Sequence, residues 1–435
     1  MQVLRNSEHY GVSNLEQITN VKKSRYNIWK KYNDRYLMIN TNSNAIVFLS
    51  EDEFKSFKRI KVLSTDFNKK LFDLGIIVLK NFDEVEEIKE NIRRSSVSSQ
   101  NADIFTIYPT QKCNANCQYC FEKNEEKIEM SAKIEQGVIK YLCQNIDVEH
   151  KTIIRWFGGE PLLASNVIDN VSKQLKTAGY YFEAMITTNA IMLNPTLIKK
   201  AKDDWNIVSV HLTIDGYREV HSKRKGIAKL DEYEKLLANI KCLLDNKITV
   251  VCRINLDKNN EDQLGFIISD LKRFSSEKNL LVDIVPLRGE GKEYFSESEY
   301  GEVYANAHEK LYTANLIHNI CDVIPKRLHE NCVACVNNSV VINARGNLFK
   351  CVLHSTDEGN SLGTIYTGII KRNEIWFNTM LSEKCEQCKL LPICFGGCKE
   401  FANNSSSMGV PCRKIKYHLE ESMNQIYRYY GREGN

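Results

Sequence analysis

No stretch of this 435-residue sequence is apolar for long enough to cross a bilayer, and its opening, MQVLRNSEHY, lacks the hydrophobic core of a secretory signal. Charge of one sign is also scarce. A formal net charge of +4 is too weak to imply a nucleic-acid or membrane surface. The expectation is a cytoplasmic protein with no nucleic-acid and no membrane partner. Residues 1–100 contain no cysteine and no cluster of metal-ligating side chains, so any metal chemistry must lie beyond them. What remains is the composition of a soluble globular chain, 43% hydrophobic and 26% charged, with length for two or three domains. Of its 15 cysteines, those from Cys332 to Cys412 crowd into one short region, and in a reducing compartment they read as metal ligands rather than disulfides.

The first cysteines form the most informative run. CNANCQYC (113–120) sets Cys113, Cys117 and Cys120 in a C-x3-C-x2-C pattern just after the apolar segment 104–110. Three thiolates can bind three irons of a cubane [4Fe–4S] cluster, leaving the fourth iron open to a small molecule. Zinc is the competing reading. A structural zinc closes four ligands around the ion, usually as two C-x2-C pairs, and here the fourth is missing locally.

From 104 onward, β-branched segments alternate with helical ones. Candidate strands are 104–109, 152–157, 183–187, 208–214, 249–256 and 282–287. In 131–146, Ser131 can cap a helix whose Ile134, Val138, Leu142 and Ile146 recur at four; 231–244 repeats the theme behind Asp231. Six strand–helix units predict a parallel, right-handed partial barrel with functional loops at the C-terminal ends of its strands. The polar motifs fall at those ends. WFGGEP (156–161) follows the second strand, TTNA (187–190) the third, and LTIDG (212–216) then YREVHSKRK (217–225) the fourth. Gly158 and Gly159 let backbone approach a ligand, and Glu160 can hold a cationic amine. A guanidinium fork suits a carboxylate because it pairs with both oxygens, but Arg224 and Arg253 can equally be ordinary surface ion pairs.

With Tyr119 before its last cysteine, the 113–120 run resembles the signature of radical S-adenosylmethionine (SAM) enzymes. The resemblance implies that SAM occupies the open iron through its amino and carboxylate groups. It implies that the Gly158–Gly159–Glu160 motif grips the SAM amino group and that Thr188 and Asn189 contact the ribose. Thr213 and Arg224, or Arg253 in its place, would hold the carboxylate, within a pattern that includes Asp215 and His221. One electron from the cluster would then cleave SAM, and the 5′-deoxyadenosyl radical would take a hydrogen atom from the substrate. A small electron donor such as flavodoxin or ferredoxin is expected as a partner. Beyond the cluster, the candidate catalytic side chains are Asp215 and His354.

The C-terminal cysteines extend the resemblance. Cys335 precedes Gly346 and Cys351; Cys385, Cys388, Cys394 and Cys398 follow as C-x2-C-x5-C-x3-C; Cys412 comes last. SVVINARGNLFKC (339–351) reads as a hairpin turning at 345–347, bringing Cys335 and Cys351 together. A zinc ribbon is the local alternative. The whole order resembles the SPASM extension of radical SAM peptide maturases, which implies two auxiliary [4Fe–4S] clusters and three clusters in all. Carried over, Cys335, Cys351 and Cys398 hold the first, with Cys332 or alternatively Cys321 as fourth ligand, or an open iron if neither binds. Cys385, Cys388, Cys394 and Cys412 hold the second. Cys143, Cys242 and Cys252 read as core residues.

The expected fold is therefore α/β: a partial (β/α)6 radical SAM barrel at 104–290, a helical bridge at 291–331, a Cys-rich SPASM domain at 332–412 and a C-terminal helix at 413–435. Before it, 1–93 reads as three strands and three helices, with RSSVSSQNAD (94–103) as linker. That order is similar to the winged-helix peptide-recognition domain of peptide-modifying enzymes, where a leader peptide adds to an edge strand; a structural cap on the barrel is the plainer alternative. Three functions fit. One is a maturase installing a thioether or carbon–carbon crosslink in a ribosomally made precursor peptide. Another is an anaerobic sulfatase maturase, against which count the long N-terminal region and Val352, where those enzymes carry an acidic residue; His354 is the possible substitute. The third is a zinc-bound scaffold or DNA-binding protein.

Overall fold

The first hundred residues fold around an antiparallel sheet with two apolar faces. The fold comes from a computed structural model. It describes all residues except 8–19, 34, 61–62, 64, 98–101, 124–125, 228–231, 288–290, 372–375, 377–379, 400–409 and 433–435, and only the backbone of 297, 410–417 and 431–432. The order is β1 (Gln2–Arg5), β2 (Val21–Lys23), β3 (Asn27–Tyr32), β4 (Arg35–Asn40), β5 (Ile46–Ser50), α1 (Glu51–Arg59), α2 (Asp66–Asp73), β6 (Ile77–Leu79) and α3 (Glu84–Val97). The larger sheet runs β1-β5-β4-β3, and β2 pairs with β6. Ser50 and Glu53 cap α1 reciprocally, each side chain accepting from the other's backbone N–H.

The three strands and three helices expected are all present, with three further strands, β1, β2 and β6. β1 is too short to announce itself in sequence. It exists because it pairs with β5 and because the Arg5 guanidinium donates to Asn44 O (2.6 Å), Cys321 O (3.0 Å) and Ile324 O (3.1 Å). One face of the sheet, with Met38, Val47 and Leu49, packs on Phe54, Phe57 and Leu71 of α1 and α2. The other face, with Leu37, Ile39, Ile46 and Phe48, packs on Ile320, Val323, Ile324, Leu419, Met423 and Ile426 from the far end of the chain.

The serine-rich stretch expected as a linker is largely structured. α3 continues to Val97 because the Ser95 and Ser96 hydroxyls bond back to Ile92 O at 3.1 and 2.8 Å, and the next strand begins at Ala102. Residues 98–101 lie outside the described set.

The six barrel strands form where expected: β7 (Ala102–Thr110), β8 (Lys151–Gly158), β9 (Glu183–Thr187), β10 (Ile207–Ile214), β11 (Thr249–Leu256) and β12 (Leu280–Pro286). Between them run α4 (Ala132–Asn145), α5 (Ser165–Thr177), α6 (Pro195–Asp203), α7 (Glu219–Lys225), α8 (Glu232–Asp245) and α9 (Leu264–Leu271). Ser131 caps α4 as anticipated, accepting from Ile134 N; Asp231, expected to cap α8, lies outside the described residues. All neighbouring pairs from β7 to β12 are parallel. Side chains alternate across each strand. Ile154, Trp156, Ile186, Val210, Leu212, Val250 and Ile254 face the helices and are buried, whereas Arg155, Phe157, Thr187, His211, Thr213 and Arg253 alternate with them on the concave face.

The bridge is less helical than expected. α10 (Glu297–Thr313) is followed by irregular chain and a short turn at Ile320–Val323, whose apolar residues are taken up by the N-terminal sheet instead of a helix stripe. The hairpin β13 (Ser339–Ile342) and β14 (Asn347–Phe349) then turns through Gly346 at φ +81°. β13 pairs parallel to β7, and β15 (Gly363–Thr364) and β16 (Gly368–Ile369) continue the sheet, so the hairpin extends the barrel into ten strands. The chain closes with α11 (Val410–Arg432), which packs along α10. No helix among the described residues is long and apolar enough to cross a membrane.

Sharing a core between the two ends of the chain has a measurable consequence. Ile39→Ala should cost about 2–5 kcal/mol in denaturant-monitored stability, because a fully buried side chain leaves a cavity between the first sheet and α11. Deleting residues 1–97 should abolish soluble expression by uncovering Ile320, Val323, Ile324, Leu419, Met423 and Ile426. Soluble truncated protein that unfolds cooperatively would contradict this packing.

Candidate metal and cofactor site

The C-terminal ends of the barrel strands β7 to β12 and one helix end build the site. The cysteine loop leaves β7 and is pinned to the last turn of α7: Asn116 N donates to Lys225 O at 2.8 Å and Gln118 N to Arg224 O at 3.2 Å. α7 stops at Gly226, whose φ of +63° only glycine adopts cheaply and whose added Cβ would sit 2.8 Å from Asn116 O. Cys113, Cys117 and Cys120 line one cavity of about 350 Å³ together with Gly158, Gly159, Thr188, Asn189, Thr213, Lys225 and Arg253. Tyr119 lines it as well. The sequence expectations thus converge on one place, with three adjustments.

The first concerns the glycines and Glu160. Added Cβ atoms would lie 2.5 Å from Thr110 O at Gly158, which has φ +109°, and 2.2 Å from Lys112 O at Gly159. Close packing of the motif on the base of the cysteine loop therefore requires both, whatever ligand they also face. Glu160 is fully buried behind the wall. Its carboxylate accepts from Thr188 Oγ1 (2.7 Å), Asn189 N (2.8 Å) and Leu162 N (3.1 Å). Burial raises its carboxyl above the ordinary value, against the pull of those three donors. Asn189 Nδ2 in turn reaches Asn114 Oδ1 at 2.7 Å, so Glu160, Thr188 and Asn189 tie two loops together.

The second concerns Arg224. Its guanidinium is buried and bidentate on Asp257, at 3.0 and 2.7 Å, and it lines a separate polar cavity with Gln118 and Asp257. Adjacent helical residues point about 100° apart, so with Arg224 turned to Asp257 its neighbour Lys225 turns to the cysteines. Lys225 is the cation that sequence reasoning missed. The signal lay in the helix register set by Gly226. Its Nζ lies 3.2 Å from Asp215 Oδ2 and bonds Thr213 Oγ1. Burial alone would lower its ammonium; Asp215, Tyr119 and Cys117 override that and hold it above the ordinary value. Arg253 does reach the cavity, from the inner face of β11, paired at 3.3 Å with Asp283.

The third concerns the two catalytic candidates. Asp215 is fully buried, accepting from Tyr119 OH (2.5 Å) and Asn255 Nδ2 (3.0 Å) besides its contact with Lys225. Burial would raise its carboxyl, but Lys225 and Tyr119 prevail and keep it below the ordinary range. It anchors Lys225 and the cysteine loop. His354 lies on the turn after Cys351, bonded to Asn360 at 2.9 Å and facing Trp376, and is not among the residues lining the cysteine cavity.

The later cysteines form two further groups. Cys335 and Cys351 pack together under Trp376, with Cys332 and Cys398 as electrostatic neighbours of Cys335. Burial pushes the Cys335 thiol up to about 11. Cys321 sits instead in the apolar core between the first sheet and α11, fully buried, its thiol pushed up to about 12. Cys385, Cys388 and Cys394 lie on one turn-rich segment, where Cys388 N donates to Cys385 O at 3.0 Å, and Cys385 packs against Ile88, Ile92 and Phe395. The Cys412 side chain lies outside the described residues. Cys143, Cys242 and Cys252 pack in the barrel core. No three His, Cys, Asp or Glu side chains among the described residues close on a single-ion site, whereas the three thiols around one cavity have the donor set of an open cubane cluster.

The chain is 27% identical over 201 residues to a GTP 3',8-cyclase of Clostridium perfringens, covering 44% of this chain and 58% of that one. It is 21% identical over 358 residues to a cysteine-type anaerobic sulfatase-maturating enzyme of Clostridium novyi, covering 73% and 94%. Among solved structures, anSMEcpe with bound AdoMet and Cp18Cys peptide superposes with a TM-score of 0.56 at 17% identity, over 76% of this chain and 97% of that one. Streptococcus suis SuiB bound to precursor peptide SuiA does so at 0.50 and 14%, over 89% and 98%. Residues 107–271 match the family described as the Radical SAM superfamily, and this chain carries a radical SAM domain on that superfamily's fold.

Proposed function

We propose that the chain is a peptide maturase: a radical SAM enzyme that removes hydrogen from a ribosomally made precursor peptide and installs a thioether or carbon–carbon crosslink. The observation that carries this reading is the single cavity walled on one side by Cys113, Cys117 and Cys120 and on the other by the concave face of the parallel sheet. Support for a peptide substrate comes from the fold. The similarity to SuiB, solved with a precursor peptide, covers 89% of this chain, against 76% for anSMEcpe.

A cluster at the three cysteines with SAM bound would supply the reducing electron and the radical. The chain's own residues hold and orient. Lys225 and Arg253 present cationic groups to the ligand carboxylate, Thr188 and Asn189 present polar groups nearby, and Tyr119 locks Lys225's partner Asp215 in place. In this reading Cys335, Cys351 and Cys398 with Cys332 hold one auxiliary cluster, and Cys385, Cys388, Cys394 and Cys412 the other. The packing of Cys321 in an apolar core favours Cys332. The electron donor is a flavodoxin- or ferredoxin-like protein in a reducing cytoplasm.

Sulfatase maturation is the second reading, favoured by coverage of 94% of the Clostridium novyi enzyme. Against it stands the position after Cys351. Val352 carries no base, and His354 is bonded to Asn360 instead of lining the cavity.

Anaerobically reconstituted protein should carry about 12 irons per chain, and the Cys113/Cys117/Cys120→Ala variant about 8, without forming 5′-deoxyadenosine. Continued SAM cleavage by that variant would sink the reading. Incubation with short peptides encoded beside this gene should yield a product that has lost two hydrogens and kept its sulfur, seen by mass spectrometry. Loss of sulfur from a cysteine of a sulfatase peptide would instead establish the second reading.

The cation assignment has its own test. Lys225→Met alone leaves a buried carboxylate unpaired, at a cost of about 3–5 kcal/mol, so it is paired with Asp215→Asn. The double variant should raise the KM for SAM about tenfold or more, whereas Lys225→Arg should stay near wild type. Arg224→Gln should lower stability and leave that KM unmoved. The opposite pattern would return the carboxylate to Arg224.

A further inference from the structure

Sheet register fixes what lies between the two ends of the barrel lumen. Arg155 of β8 stands opposite Thr106 of β7, which stands opposite Val341 of β13, which pairs with Phe349 of β14. β13 and β7 are parallel, so Cys335, before β13, lies toward the N-terminal ends of the barrel strands. Cys351, just past antiparallel β14, lies at the same end. Cys113 follows the opposite, C-terminal end of β7. Arg155 therefore occupies the concave face between the two cysteine groups, two residues below Phe157, which lines the SAM-type cavity.

Its surroundings are unusual for a cation. The side chain is half-buried, and among the described residues it makes no hydrogen bond and no ion pair to a carboxylate. The Cys332 thiol, once ionised, would favour its charge, whereas His211, also on the concave face, feels the guanidinium as a repulsive neighbour along with Arg253. A desolvated guanidinium with no anion beside it is costly unless something anionic arrives. A cubane with four thiolates is such a group, and one more electron makes it more negative still.

We propose that Arg155 is the electrostatic partner of the first auxiliary cluster: Cys332 supplies that cluster's fourth thiolate, and the guanidinium, facing it from the barrel lumen, stabilises its reduced form. The inference rests on the reading that Cys335, Cys351 and Cys398 hold a cluster, and goes beyond it by naming the residue that sets its potential. Net charge and hydrogen bonds to sulfur are the levers by which protein tunes such potentials, and both act more strongly away from water. The charge would also place this cluster, among the two auxiliary ones, in direct electrostatic contact with whatever enters the lumen.

The test is a potentiometric titration of reconstituted full-length protein, following the EPR signals of the reduced clusters. In Arg155→Gln the iron count should equal wild type while one auxiliary midpoint falls by about 59 mV or more, a tenfold change in a one-electron equilibrium. Arg155→Met, which keeps the aliphatic stem, should shift it the same way, and Arg155→Lys should recover most of the loss. Cys332→Ser should alter the spectrum of that same cluster. Unmoved midpoints in both neutral variants, with three clusters present, would overturn the role of Arg155 and leave the cluster reading intact. An unaltered spectrum in Cys332→Ser would overturn the ligand assignment. Wild-type protein that binds only one cubane would overturn the underlying reading itself.

Discussion

The site depends on one buried ion pair. Asp215 and Lys225, both almost wholly removed from water, hold each other 3.2 Å apart, and each then holds part of the cysteine loop. Asp215 accepts from the hydroxyl of Tyr119, inside the loop; Lys225 offers its backbone carbonyl to Asn116 N. Two desolvated charges in that position are expensive unless every remaining donor and acceptor is met. Asn255 meets the second carboxylate oxygen, Asn260 meets the Asp215 carbonyl, and the His221 ring accepts the Asp215 N–H. The network spans the ends of β7, β10 and β11 and the last turn of α7. It fixes three thiols against one cavity without a bond to any of them. His221, at the centre, must stay neutral to accept that hydrogen bond; burial and Lys225 push it down to about 4.

A second constraint is continuity of the sheet. Because β13 adds parallel to β7, the C-terminal cysteines are joined to the barrel by the same hydrogen-bonded ladder that carries the first cysteines. The distance between the two groups is then set by strand length and not by a flexible linker. Lys350 reinforces this from inside. Its ammonium is caged by the carbonyls of Val336, Asn337 and Ser339, tying the residue before Cys351 to the chain just after Cys335. Burial lowers it to about 8, with Cys335 opposing.

The alternating strands and the capped helix α4 were legible because their signals are local: period-two burial, a Ser131 cap, apolar residues at four. The cysteine spacing was legible for the same reason. The losses share a cause, which is that the deciding contact is remote. β1 depends on β5 and on carbonyls more than 300 residues away. Ser95 and Ser96 look like linker residues until their hydroxyls bond the helix behind them. Arg224 and Lys225 are one residue apart, and composition cannot say which faces the cysteines; the helix end at Gly226 and the presence of Asp257 decide it. Glu160 looked like a free carboxylate because its three donors come from 162, 188 and 189.

In the N-terminal unit the edges of the sheet are engaged by the chain itself. Its order β1-β5-β4-β3 leaves β1 and β3 at the edges, and strand addition by a peptide needs one of them. β1 is four residues long and already shields the edge of β5, held there by Arg5. β3 is longer, but its Lys30 bonds Glu420 and Asn424, and Tyr32 stacks on Tyr427 of α11 at 4.2 Å. The β3 edge therefore lies beside α11. The segment carrying Cys385 and Cys388 docks on the same unit, through Arg25 to Glu386 O and Lys389 to Asn27 O, the latter on β3 itself. An edge strand, a terminal helix and a pair of cysteines thus share one junction.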